Sequence, residues 1–391
     1  MKLILLLLSS LLLSPANSNI ILGNNSWKEK VIAFRKKEIL KNAEWAMQQR
    51  PETITSFICP RSSGDKHDFY SEGDYWWPDP KNPGSPYIQR DGETNPDNFV
   101  AHRHAMIRFS IIVGDLAAAY MITHDKKYVL QALKHIRAWF ADSATLMNPN
   151  LQYAQAIHGI TKGRGIGIID TIQLLEVAQA IYLFEQAGLI PASSLKAIRS
   201  WFADYLHWLM TSKNGQDEMN AKNNHGTCWV MQVAAFAKVV QDTAVMNFCR
   251  NRFEQVLLPH QMAADGSFPQ ELRRTKPYGY SIFNLDAMST ICQILSDKQH
   301  DLWNYATPDG RNIGKGIQFL IPYVKDKSAW PHSRDVMHWD SWPVAQPFLL
   351  FGAAAYNNEN YFQLWKRLDH DPKDEEIIRN LPVRHPLIWL K

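Results

Sequence analysis

Apolar residues recur at three- and four-residue steps through most of this chain, while runs of strict alternation are scarce. That spacing predicts helices over 27–49, 98–124, 127–142, 171–187, 193–212, 225–241, 244–262, 281–297, 311–324 and 343–356. In 127–142 the apolar stripe is Val129, Leu130, Leu133, Ile136 and Trp139; in 171–187 it is Val177, Ala178, Ile181 and Phe184. Short connections such as 188–192 and the turn at Asp242 make successive helices antiparallel neighbours. No fixed-period repeat with a consensus is visible, which weighs against a solenoid. The pattern points to an all-α architecture of antiparallel helix pairs, preferably a closed α/α barrel. Two long irregular stretches interrupt it: 50–97, with Tyr70, Tyr75, Trp76 and Trp77 among Gly, Pro and Asp, and 325–342, with Trp330, His332, His338, Trp339 and Trp342. Loops of that length in a compact domain are usually functional.

The first residues follow another rule. Lys2, the apolar run Leu3 to Leu13 and the small residues of 14–18 read as a secretory signal peptide at 1–18, too short to stay in a bilayer. No Cys follows closely enough for a lipoprotein anchor. Residues 19–391 are expected to form one domain, periplasmic or secreted, since no linker-like stretch divides them. The net charge is +4, or +3 without Lys2, and no basic tract suits nucleic acid. A monomer with no membrane attachment after leader removal is expected. Cys59, Cys228, Cys249 and Cys292 lack CxxC spacing, so zinc binding is not expected, although an oxidising compartment would permit disulfides. Cys228, three residues after His225, is better read as a small buried side chain than as a nucleophile.

Two polar clusters carry candidate chemistry. Asn223, Asn224 and His225 directly precede a helical pattern. Asn is a favoured helix cap, so the bland reading is capping. The functional reading places His225 in the first helical turn, where the helix dipole keeps imidazole neutral and a carboxylate is welcome. About fifty residues on, a turn at Asp265-Gly266 leads to Arg273, Arg274, Lys276, Tyr278 and Tyr280. A solvated basic turn is the ordinary explanation, but aromatic and apolar residues enclose this one. Arginine forks pair with carboxylates, and a nearby cation helps a tyrosine exchange protons. Amide, imidazole, guanidinium and phenol are the parts needed to remove a proton beside a carboxylate, so the set points to elimination on an acidic sugar.

Supporting features are weaker. Asp74-Tyr75-Trp76-Trp77-Pro78-Asp79-Pro80 suits either core filling or sugar stacking, with Tyr70 just before it. Arg103 and His104 sit on the next helix, with Asp97 as a possible cap. His102 and His104 point to different helix faces and make poor joint metal ligands. The segment 163–167 lacks GxGxxG spacing and is not a nucleotide loop, yet His158, Lys162 and Arg164 could face an anion.

These residues resemble the alginate lyase superfamily of polysaccharide lyases. The resemblance rests on Asn223-Asn224-His225, on Asp265-Gly266-Ser267-Phe268-Pro269-Gln270-Glu271-Leu272-Arg273-Arg274 followed by Tyr280, on the loop 73–80 and on 163–170. It implies an incomplete α/α toroid that cleaves acidic polysaccharides, alginate or a related polyuronate, by β-elimination, with no cofactor or metal required. It also implies that Asn224 and Arg274 neutralise the substrate carboxylate and that His225 acts as base or aids neutralisation. Tyr280 becomes the acid, or the combined base and acid. The interval from arginine to tyrosine is one residue shorter than in mannuronate-specific members. That leaves Arg273 against Arg274 and Tyr278 against Tyr280 open, and suggests a sister family accepting several uronates. Asn223, Arg273, Tyr278, Tyr75, Trp76, Trp77, Arg103, His104, His158, Arg164 and Tyr70 are the candidate substrate contacts. The rival readings are a lyase for glucuronan or another polyuronate, a hydrolase using a pair among Asp170, Glu176, Glu271, Asp286 and Asp340, and a non-catalytic glycan binder.

Overall fold

Residues 25–391 are described by a computed structural model, so the expected leader at 1–18 lies outside the described residues. The chain forms α1 (Asn25–Met47), α2 (Ala101–Thr123), α3 (Lys126–Phe140), α4 (Leu174–Gln186), α5 (Ala192–Thr211) and a short α6 (Lys213–Met219) that apolar spacing does not predict. Next come α7 (Asn224–Val240) and α8 (Thr243–Arg252), continued by one widened turn (Phe253–Leu257) into α9 (Leu258–Gln261). The order ends with α10 (Pro269–Leu272), α11 (Pro277–Leu295), α12 (Ile313–Lys325), α13 (Pro347–Ala355), α14 (Glu359–Arg367) and α15 (Glu375–Arg379). Side chains of Asp125, Asp242, Asn312 and Asn358 accept amide hydrogens at the starts of α3, α8, α12 and α14, which fixes those ends. Asp97 does not cap α2, whose cap position is Val100 and carries no side-chain bond. In α3 the stripe narrows to Val129, Leu133, Ile136 and Trp139, while Leu130 is exposed.

Helices α2, α4, α7, α11 and α13 pack side by side in that order as an inner layer. Outside them, α1 and α3 lie on α2, α5 and α8 on α7, α12 on α11, and α14 on α13. The expected closed barrel is not what forms. The C-terminal turn Pro386–Trp389 packs on α1, α2, α4 and α13, and the toroid stays incomplete. Polar side chains on the inner helices hold that turn: Gln179 and Gln293 amides donate to the carbonyls of Ile388 and Trp389, and Glu176 meets His385 at 2.8 Å. Buried polar groups need such partners, so the gap is filled by chain rather than by another helix.

An inner helix is buried nearly all round, and α11 is the extreme case. Every one of its residues is buried except Tyr280. It also begins four residues earlier than predicted. Pro277 fits a first helical turn, and Asp335, from the irregular stretch 325–342, accepts the amide hydrogens of Tyr278 and Gly279 at 2.9 Å each. The other irregular stretch is partly sheet. β1 (Tyr70–Glu72) pairs in parallel with β4 (Tyr153–Ala156), and β2 (Trp76–Trp77) pairs antiparallel with β3 (Ile88–Gln89). At the entry to β2, the Tyr75 hydroxyl lies 2.7 Å from that of Tyr280 on α11. All four cysteines are buried free thiols.

Candidate active site

The start of α7 provides the first half of the site. Asn223 occupies the cap position with extended backbone, yet its side chain makes no capping bond and lines the cleft instead. Its carbonyl accepts from Gln261. Asn224 is clamped: its backbone amide and its Nδ2 both donate to the Glu271 carboxylate at 2.7 Å. His225 Nδ1 lies 2.8 Å from Oε1 of Glu218, a fully buried residue on α6. Burial pushes the Glu218 carboxyl above its ordinary value, with His225 and Arg164 pulling the other way. Nδ1 is thus held at hydrogen-bond distance from Glu218, and Nε2 is the ring nitrogen left free of that contact.

The second half comes from the segment ahead of α11. The Tyr280 hydroxyl sits 2.7 Å from the Tyr75 hydroxyl and accepts a long contact, 3.4 Å, from Arg274 Nη2. The Arg274 guanidinium lies 4.5 Å from the Tyr280 ring centre. Its Nε and Nη2 donate to Asp91 at 3.2 and 2.7 Å, and Thr275 adds a 3.0 Å bond to the same carboxylate. Burial raises the Tyr280 hydroxyl well above its ordinary value, against the downward pull of Arg274, so it is protonated near neutrality.

Behind Tyr75 lies a buried layer of three carboxylates and three cations. Asp74 pairs with Arg103 and with Arg379 of α15 at 2.7 Å each; Arg103 reaches Asp170 at 3.2 Å. Glu376 pairs with Lys276 at 2.6 Å and with Arg379 at 3.3 Å. Against the upward push of burial, Arg103 and Arg379 hold the Asp74 carboxyl below its ordinary range. The layer is balanced in itself and leaves Arg164 as the cation of the cleft that has no carboxylate partner among the described residues. Arg164 donates to the carbonyl and side-chain oxygens of Gln155 at 3.2 and 2.9 Å.

The cleft, about 350 Å³, is lined by Asn223, Asn224, His225, Arg274, Tyr280, Tyr75, Trp76 and Arg164, which joins eight of the residues singled out in the sequence. Seven others are elsewhere. Tyr278 is fully buried: two positions before Tyr280 it points across the helix, donates to the Tyr323 carbonyl at 3.0 Å and packs on Trp330 and Trp339. Arg273 is exposed and does not line the cleft. Trp77 alternates to the other face of β2, with its indole N–H on the Glu93 carbonyl and Arg90 over its ring. Arg103 is buried within the ion layer, and Tyr70 is buried with its hydroxyl on Glu72. His104 faces Glu375 at 3.8 Å, in a second cavity of about 730 Å³ beyond the Asp74–Arg379 pair. That larger cavity holds none of the acid–base groups above. His158 is exposed and stacks beside Tyr87 at 5.2 Å.

Residues the sequence reading missed are Glu218, Asp91, Gln155, Arg379 and Asn380. Glu271 was quoted only as part of a motif and as a rival acid. Glu218 sits in the polar run 213–219, which reads as a solvated face; only the fold turns it inward. Asp170, Glu176, Glu271 and Asp286 are each buried with partners, and Asp340 is exposed, so no two of them flank the cleft as a hydrolase pair.

Residues 54–330 match the family described as "Alginate lyase". The crystal structure of an alginate lyase from Bacteroides ovatus is 31% identical, with a TM-score of 0.78 over 93% of this chain and 99% of that one. Alginate lyase A1-III from Sphingomonas species A1 is 14% identical, with a TM-score of 0.50 over 82% and 87%. A variant of A1-III complexed with tetrasaccharide is 14% identical as well, with a TM-score of 0.53 over 82% and 86%. At that identity the two A1-III structures speak to fold alone. No curated protein matches the chain.

Proposed function

The chain belongs to the alginate lyase family, and from that premise we propose that this polysaccharide lyase cleaves 1,4-linked polyuronates, alginate foremost, by β-elimination at the Asn224–His225–Arg274–Tyr280 cleft. The convergence of these four side chains in one cavity is the observation that carries the reading. A C5 proton is weakly acidic until the adjacent carboxylate charge is offset. Asn224, oriented by Glu271, together with Arg274 and the unpaired Arg164 supply donors for that offset. One preorganised donor of this kind contributes about 3–4 kcal/mol to a transition state.

The two candidate acid–base groups differ in a way that supports separate roles. His225 is backed by Glu218, which stabilises the imidazolium formed when Nε2 takes the C5 proton. Tyr280 arrives protonated and can give its proton to the C4 oxygen as the bond breaks. This division suits guluronate linkages, where the C5 proton and the C4 oxygen lie on opposite sides. On mannuronate they lie on one side, and Tyr280 would serve both steps only after first giving its own proton to solvent: the phenolate, stabilised by Arg274, then takes the C5 proton and returns it to the C4 oxygen. The product in either case carries a C4=C5 double bond at the new non-reducing end.

The test is to incubate the protein separately with mannuronan, guluronan and glucuronan and follow ultraviolet absorbance of the conjugated double bond. Absorbance rising on mannuronan or guluronan supports the reading. Rise on glucuronan alone moves the substrate to another polyuronate, and reducing ends without absorbance would return the hydrolase. Export through residues 1–18 belongs to the same proposal, and N-terminal sequencing of extracytoplasmic protein checks it.

A further inference from the structure

The β2–β3 hairpin sets two groups against the catalytic pair. At its open end, where the chain enters β2 and leaves β3, the Tyr75 hydroxyl meets the Tyr280 hydroxyl at 2.7 Å and Asp91 takes the fork of Arg274 at 2.7 and 3.2 Å. A hydroxyl oxygen on the phenol and a carboxylate on the guanidinium are the two groups a uronate ring would bring to the same places. With Nε and Nη2 both engaged, Arg274 has only Nη1 left for a substrate carboxylate. The Asp91 and Arg274 side chains are 29% and 27% exposed, so water and a ligand can reach the pair.

The backbone around Asp91 is fastened. Gly92 has φ +80°, and a Cβ there would meet Thr275 Oγ1 at 2.4 Å. Thr275 also donates to Asp91 and accepts from the Val336 amide through its carbonyl. Release of Arg274 therefore needs a swing of the Asp91 side chain, not an opening of the whole segment.

Building on the carboxylate-neutralising role proposed for Arg274, we infer that Asp91 is a specificity-determining residue: an internal stand-in for the substrate carboxylate, which must be exchanged for it before turnover. The stand-in compensates the Arg274 cation while the cleft is empty, and it makes entry favourable only for ligands that bring a carboxylate of their own. A neutral polysaccharide gains nothing that repays the lost pair.

The experiment compares KM and kcat of Asp91→Asn with those of the unaltered protein on alginate oligosaccharides, using the ultraviolet assay. The asparagine keeps size and removes charge. If Asp91 competes with substrate, KM falls by about two- to fivefold, the strength of a part-exposed ion pair, with kcat retained. An unchanged or raised KM overturns the inference and makes Asp91 a support that orients Arg274. Should Asp91→Asn fail to fold by circular dichroism, Thr275→Ala, which removes one hydrogen bond from the stand-in, must lower KM in the same direction or the inference fails. Arg274→Ala separates the two levels. Wild-type turnover in that variant sinks the carboxylate role itself, whereas a dead variant beside an unchanged Asp91→Asn sinks only the exchange.

Discussion

Glu218→Gln isolates a charge that the sequence gives no reason to suspect. Glu218 is fully buried and its Oε1 lies 2.8 Å from His225 Nδ1. A glutamine can present an oxygen to the same Nδ1–H, so ring orientation should persist while the negative charge is lost. Two unit charges about 4 Å apart interact by about 4 kcal/mol at an effective dielectric of about 20. Proton transfer is partial in the transition state, so about half of that, or about 2 kcal/mol, should appear in the barrier. The expected result is a fall of about 30-fold in kcat/KM, at about 1.4 kcal/mol for each factor of ten. Initial rates of ultraviolet absorbance on guluronan and mannuronan measure it. Guluronan should suffer more, since the proposed mechanism makes His225 its base. Melting should move little, because Glu218 Oε2 has no partner in the native protein and the substituted amide leaves one buried atom unpartnered as well. A rate within about threefold of the unaltered protein on guluronan would refute the charge-backed base, whatever the fate of the other residues.

The remaining expectations are briefer. Tyr280→Phe should cut turnover by about 10²- to 10⁴-fold with polymer binding retained, measured by rate and by affinity electrophoresis in alginate gels. Tyr278→Phe should stay active and lose about 1 kcal/mol of stability in urea melts, the worth of its bond to the Tyr323 carbonyl. Asp74→Asn strips charge from a buried layer and leaves Arg103 and Arg379 short of a partner, so it should cost about 3–5 kcal/mol by the same melts. Burial pulls the His385 imidazole down, but Glu176 and Asp115 more than reverse this and raise it to about 10 from 6.5. Because the folded value is the higher one, its stabilising contribution is complete below pH 6.5 and is lost as pH rises through about 10. Melting temperature should therefore fall across that window, and His385→Gln should flatten the fall.

Much of this was legible along the chain, for identifiable reasons. Helical spacing located the long helices because inner and outer layers alike repeat apolar residues at that period. Asn224 and His225 stood out because polar residues at the head of an otherwise apolar helix need an explanation. The choice between Tyr278 and Tyr280 was illegible, since it depends on where α11 starts, and Asp335, more than fifty residues away, sets that start. Arg103 read as a candidate substrate contact because sequence reveals charge but not the carboxylates, Asp74 and Asp170, that bury it. Leu130 shows the converse error, an apolar residue in register with a stripe that faces water. Glu218, Asp91 and Arg379 escaped notice because each reaches the cleft from a segment with no apolar period of its own.

The ion layer behind Tyr75 has a consequence for the order of assembly. Asp74 is among the earliest residues of the site to leave the ribosome, and Arg379, its second cation, is among the last, 305 positions later. Chains emerge amino end first, at about 5–20 residues per second, so the hairpin would wait about 15–60 seconds for its partner. Throughout that interval Asp74 has Arg103 alone, and the cleft lacks one wall. The candidate site therefore cannot be complete until the segment that carries Arg379 has emerged and docked.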